Sequence, residues 1–204
     1  MEAYSQTEII KKLKKEGISL FTLADFSRIF GIDIRNTLYK KIQRLEEAGI
    51  IQKLIKGKYL FLFGETNELT IANFLYQPSY ISLESALSFY GIITGFTHQI
   101  SSISIKKSHT IITPEGKEYT YTQIVKDLFW GYEKKENFLI AEKEKSLLDY
   151  LYLAFKGLKS RNIDEFELLG ISKRKINGYT KMIKNPQFLR FLRKIKLSAR
   201  LKKK

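Results

Sequence analysis

Residues 33–49, DIRNTLYKKIQRLEEAG, decide how the first third of the chain is read. Ile34, Leu38, Ile42 and Leu45 recur at steps of four, four and three, the spacing of one buried stripe on an α-helix. Asp33 suits an N-cap and Gly49 a left-handed stop. With the stripe turned inward, Arg35, Asn36, Thr37, Tyr39, Lys40, Gln43 and Arg44 face outward, and these side chains can bond base edges or phosphates. The acids Glu46 and Glu47 fall in the last turn, away from the amino-terminal part with which a recognition helix enters the major groove. The pattern is that of a helix that reads double-stranded DNA.

The flanks support it. Residues 3–15 predict a first helix with Ile9, Ile10 and Leu13 inward and its lysines mostly outward. Thr22-Leu23-Ala24-Asp25 predicts a capped helix start, Leu23, Phe26 and Phe30 an apolar face, and Gly31 its end, so that helix, short turn and helix follow one another. Residues 50–55 and 58–63 are β-prone runs joined at Lys56-Gly57, a hairpin with Lys53, Lys56 and Lys58 at or near its tip. This order predicts a winged helix-turn-helix domain over residues 1–66. A small helical domain with a merely solvated, lysine-rich face is the competing interpretation.

The charge is placed unevenly. Of the 204 residues, 36 are basic and 21 acidic, a formal net charge of +15. Residues 1–66 hold 12 basic against 8 acidic side chains, residues 67–156 hold 9 against 10, and residues 157–204 hold 15 against 3. An excess confined to the two ends points to a polyanionic partner. Cysteine is absent, which excludes disulfides, thiolate zinc sites and cysteine nucleophiles. The two histidines, His98 and His109, are too few for a histidine-based metal site. The start, MEAYSQTEIIKKLKKEG, lacks the apolar core of a signal peptide. The apolar run 147–155 carries Asp149 and falls well short of the roughly 18 residues of a membrane span. A cytoplasmic protein with no membrane partner and no cofactor is expected.

A polar break at residues 65–68 is the expected boundary, with residues 67–204 forming an α+β domain. Residues 69–75 and the stretch from Ser82 predict helices. Residues 100–105, 109–113, 118–124, 129–132 and 138–140 predict short strands, joined in part by the Pro114-Glu115-Gly116-Lys117 turn. Glu142 opens a helix with Leu147, Leu148, Leu151, Tyr152 and Phe155 on one broad apolar face. The expected sheet is small and mainly antiparallel, with helices before and after it and a basic helical carboxy terminus.

Four stretches of this region, PSYISLESALSFYG (78–91), TPEGKEYTY (113–121), FWGYE (129–133) and AEKEKSLLDYLYL (141–153), resemble in order and spacing the AbiEi-type antitoxins of type IV, abortive-infection toxin–antitoxin systems. The amino-terminal domain and the basic end match as well, so the resemblance covers nearly the whole chain. It implies a winged helix that binds inverted repeats at the promoter and represses its own operon, while the rest of the chain opposes a cognate nucleotidyltransferase-like toxin, directly or indirectly. Related solitary regulators share the same two parts, so a stand-alone transcriptional regulator is an alternative.

Another alternative is an enzyme. Asp127 with Glu133 and Lys135 loosely follows the Asp…Glu-x-Lys pattern with which some nucleases hold Mg²⁺. Its spacing is short, and no glycine-rich phosphate loop accompanies it. Ser82, Glu84 and Ser85 read as a helix start, since no histidine stands in reach to activate a serine. Phe129 is expected in the core, with Trp130 either packed or on a partner surface. In the carboxy-terminal block, Asn185-Pro186 opens a helix with Phe188, Leu192 and Ile195 inward and Arg190, Arg193, Lys194, Lys196 and Arg200 on its other faces. That helix is expected to dock on the middle of the chain and make a second, sequence-blind contact with phosphates. A solvated tail is the bland alternative.

Overall fold

A computed structural model describes residues 4–94, 98–195 and 197. The chain divides into two compact units: one runs to Leu75 and includes Ile112–Lys117, the other takes Tyr76–Ile111 and everything from Glu118 onward. The division falls one helix past the polar break at 65–68. Among the described residues no helix is long and apolar enough to cross a membrane.

The first unit runs α1 (Gln6–Lys15), β1 (Leu20–Thr22), α2 (Leu23–Phe30), α3 (Arg35–Glu47), β2 (Ile51–Ile55), β3 (Lys58–Phe61) and α4 (Glu68–Leu75). Two capping boxes start its helices, Ser5 with Glu8 and Thr22 with Asp25, each pair exchanging backbone and side-chain bonds. The Thr22 bonds hold the Asp25 carboxyl below its ordinary range. Gly31 ends α2 in the left-handed region at φ +63, where a side chain would be strained. Leu38, Ile42 and Leu45 of α3 meet Ile9, Leu13, Phe26 and Phe61 in one core, with the Phe26 and Phe30 rings 4.5 Å apart.

Two expectations fail here, and one element is additional. Ile34 is not part of the stripe: it is the N-cap of α3 and 68% exposed. Asp33 does not cap, since the N-cap position is Ile34 and makes no side-chain bond. A third strand, β1, pairs antiparallel with β3 and gives the sheet the order β1-β3-β2. Its three residues run straight into the Thr22 cap, too short a run to show alternation.

From Tyr76 onward the chain runs β4 (Ser79–Ile81), α5 (Leu83–Phe89), β5 (Gln99–Ser104), β6 (His109–Ile112), β7 (Glu118–Gln123), a 3₁₀ turn (Lys126–Leu128), β8 (Tyr132–Lys135), β9 (Phe138–Ala141), α6 (Lys143–Phe155), α7 (Lys173–Met182) and α8 (Pro186–Lys194). The fold is α+β, but the large sheet is mixed. Its order is β6-β7-β5-β4-β9-β8, with β4 parallel to β9 and β5 parallel to β7. Turn signals mark where strands end but do not say which strand lies beside which; β7 inserts between β5 and β6, and the sheet expected to be mainly antiparallel is mixed. Phe129 and Trp130 lie ahead of β8 rather than in it. Trp130 is packed: its Nε1 donates to the Asp127 carbonyl at 2.8 Å, and its ring lies 5.0 Å from that of Tyr179.

Helix α6 is buried continuously from Glu144 through Ala154, polar residues included. Lys145 and Asp149, one turn apart, form an ion pair with about 2% of each side chain exposed. The Lys145 ammonium also donates to the Tyr80 hydroxyl at 2.9 Å, and Asp149 Oδ2 accepts from Tyr80 at 3.0 Å and from Ser82 at 2.8 Å. Burial pushes the Lys145 ammonium below its ordinary range and the Asp149 carboxyl above its own, each opposed by the other's charge. Gly131, at φ +72, makes room for the lysine stem: a Cβ there would come 3.0 Å from Lys145 Cγ. Ser82 thus uses its hydroxyl on Asp149 and makes no cap bond to α5.

Removing one partner strands the other charge in the core. Lys145→Met is expected to destabilise the second unit by about 3–5 kcal/mol, and adding Asp149→Leu should recover most of that loss. Trp130 is the chain's sole tryptophan, its ring centroid 5.0 Å from the Lys145 ammonium. Its fluorescence through a urea series reports the difference.

Candidate nucleic-acid interface

Once Leu38, Ile42 and Leu45 are committed to the core, the rest of α3 is sorted by geometry. Arg35, Asn36, Thr37, Tyr39, Lys40, Gln43 and Arg44 are all exposed. The first turn has no acid. The Arg35 guanidinium stands over the Tyr39 ring at 5.6 Å, and Gln43 donates from Nε2 to Glu47 Oε1 at 2.8 Å. The helix therefore carries a cationic and amide surface on a rigid, core-anchored element, without a side-chain cap at its start.

In the hairpin after α3 the lysines are not equivalent. Lys53 and Lys56 are exposed. Lys58 points elsewhere: its ammonium donates to the carbonyls of Phe74 and Leu75 at 2.6 and 3.0 Å and lies 4.9 Å from the centre of the Phe74 ring. It satisfies the end of α4, where helix carbonyls lack intrahelical partners. Lys12 and Lys41 are engaged in the same way, donating to the carbonyls of Ile29 (2.7 Å) and Tyr4. Sequence reasoning assigned Lys58 to phosphate because nothing local reveals a carbonyl sixteen residues away.

At the carboxy-terminal block Asn185 caps α8 by accepting from Phe188 N at 3.0 Å, and Phe188 and Leu192 are buried. Phe188 packs edge-on against Tyr152 at 5.3 Å. Arg190, Arg193 and Lys194 are exposed; Lys196 and Arg200 lie outside the described residues. The block is not an appendage. Ile163, Ile171, Ile176, Ile183 and Phe188 belong to the same core as Leu147 and Leu151. Lys175 is held by Glu142 at 2.6 Å, which leaves it less free than its position in a basic run suggests.

The carboxylates of the enzyme reading have separate partners. Asp127 pairs with Lys184 at 3.3 Å and Glu133 with Lys135 at 3.4 Å. Among the described residues no group of three histidine, aspartate or glutamate side chains is placed to hold a metal ion. What sequence reasoning missed is the Tyr80, Ser82, Lys145 and Asp149 network. Its one signal is a Lys and an Asp four apart in an otherwise apolar helix, where α-helical spacing puts them side by side. No protein-family model matches the chain, and a search of curated proteins finds no significant match.

The contrast between the two hairpin lysines is measurable. Lys58→Ala leaves two helix-end carbonyls without their donor and should lower unfolding stability by about 1–3 kcal/mol. Lys56→Ala should change it by less than about 0.5 kcal/mol. Urea denaturation of both variants checks this.

Proposed function

We propose that the chain is a non-catalytic DNA-binding regulator of the cytoplasm, whose first unit is a winged helix-turn-helix module with α3 as its recognition helix. One observation carries the reading: α3 is fixed by a single buried stripe and presents Asn36, Lys40 and Gln43 to solvent, directly after a capped helix and directly before a hairpin with Lys53 and Lys56 exposed. A helix placed in that way can enter a major groove, its amides and cations meeting base edges while the hairpin lysines meet phosphate. Autorepression of its own operon, and opposition to a nucleotidyltransferase-like toxin, are the roles that the AbiEi resemblance of the four motifs implies.

The exposed arginines and lysine of α8 supply a second contact, with phosphates alone. Because the aromatic and aliphatic side chains of α7 and α8 fill the core of the second unit, deleting the block would damage the fold. The contribution is instead measured by neutralising surface charges. Arg190→Gln, Arg193→Gln and Lys194→Gln together should flatten the dependence of log affinity on log salt by about 0.9 for each phosphate that is no longer neutralised, with sequence preference kept. Equal slopes for parent and triple variant would show that this face does not touch phosphate.

Base reading by α3 is tested on the DNA upstream of the chain's own gene, against a random duplex. Asn36→Ala, Arg35→Ala or Gln43→Ala should each cost about 1–3 kcal/mol on the specific site and reduce discrimination between the two duplexes. Variants that bind both duplexes as the parent does would rule α3 out as the reading helix.

A further inference from the structure

The flank of α3 borders a cleft of about 550 Å³, most of whose apolar lining the DNA reading does not use. Its floor is apolar: Phe30, Ile32 and the exposed Ile34 from the α2–α3 turn, with Tyr4 ahead of α1. Tyr4 is fixed in place, its ring edge-on to Phe30 at 5.2 Å, its carbonyl accepting from Lys41, and Lys12 over both rings at 5.3 Å. Along the α3 side the rim is cationic, with Lys40, Lys41 and Arg44 against one acid, Asp33.

Single exposed isoleucines are ordinary on protein surfaces. Ile34 is different because it continues an apolar floor inside a concave site, and small-ligand sites have this volume and this makeup, an apolar body with a few placed polar groups. Among the described residues Lys40 and Arg44 have no side-chain hydrogen-bond or ion-pair partner, so they are available to a ligand's charge. We propose that this cleft binds a small organic anion with an apolar body, the body on Phe30, Ile32 and Ile34 and the anionic group at Lys40 and Arg44. Thr37, Lys40 and Arg44 line the cleft and also belong to the outward surface of α3. On the DNA reading, which this part of the inference rests on, the bound anion occupies cations that would otherwise meet DNA and releases the duplex.

The test uses the full chain and two probes that differ in one group. 8-Anilinonaphthalene-1-sulfonate carries the anion; N-phenyl-1-naphthylamine has the same ring system without it. The sulfonate should bind saturably at one site, and the neutral amine at least tenfold more weakly. Ile34→Gln, a change at an exposed position, and the double variant Lys40→Gln with Arg44→Gln should each weaken the sulfonate at least fivefold with an unchanged denaturation midpoint. Equal binding of the two probes, several unsaturable sites, or indifference to both variants would overturn the site.

In gel-shift titrations, saturating sulfonate should weaken duplex binding by the parent at least tenfold. Ile34→Gln should keep the parent's duplex affinity and lose that sensitivity, because its side chain serves the cleft and not the DNA. Unchanged duplex binding by the sulfonate-saturated parent would overturn the antagonism. If the chain binds no duplex even without the probe, the DNA reading and the antagonism fall together, and the anion site still stands or falls on the fluorescence titrations.

Discussion

The second unit depends on an ion pair that water does not reach. Lys145 and Asp149 stand one turn apart on α6, and two charges taken out of solvent are tolerable only when each is paired and its remaining hydrogen-bonding capacity is filled. Tyr80 donates to the carboxylate and accepts from the ammonium, while Ser82 supplies another donor to the carboxylate. The Trp130 ring lies 5.0 Å from the ammonium, adding a cation–π contact. Any rotation or shift of α6 would break several of these bonds at once. The network therefore sets the register between that helix and the β4–α5 junction, where Leu83 is held in the left-handed region at φ +55.

The same network explains why three stretches far apart in the chain look alike in character, small motifs of mixed polar and aromatic residues. PSYISLESALSFYG contributes Tyr80 and Ser82. FWGYE contributes Trp130 and Gly131, the glycine leaving space for the lysine stem. AEKEKSLLDYLYL contributes the pair itself. A further backbone bond, from Glu142 N to the Gly131 carbonyl at 2.9 Å, fastens the last two together. These residue types serve packing and polar satisfaction in the core.

In the first unit the governing constraint is different: a lysine-rich chain has more cations than free cations. Lys12, Lys41 and Lys58 each donate hydrogen bonds to backbone carbonyls, and in the second unit Lys143 does the same to Leu169 at 3.1 Å. Lysine can do this because its long apolar stem lies along the surface while the ammonium reaches a carbonyl. Net charge consequently overstates the number of side chains whose donors are free to contact a phosphate directly. The cations of α3 that remain without a carbonyl to hold are few, Arg35, Lys40 and Arg44, and the last two also line the cleft beside Ile34.

Local chemistry by itself determined the helices of the first unit, because caps such as Thr22 with Asp25, stops such as Gly31 and the Leu38, Ile42 and Leu45 spacing act within a few residues. It also determined the hairpin at Lys56-Gly57, the start of α6 at Glu142 and the inward face of α8, where Phe188 and Leu192 repeat at helical spacing. Those same periodicities left Asn36, Lys40 and Gln43 outward. Only tertiary structure decided that Ile34 stays in solvent, since a cap position has no obligation to follow the stripe behind it. It alone decided that β7 lies between β5 and β6, a matter of which strands meet across long loops. And it alone decided that Lys58 serves a helix end while Lys56 does not, and that Lys145 and Asp149 share a dry core with Tyr80. Each of these rests on partners distant in sequence, and burial and hydrogen-bond satisfaction are properties of the assembled chain.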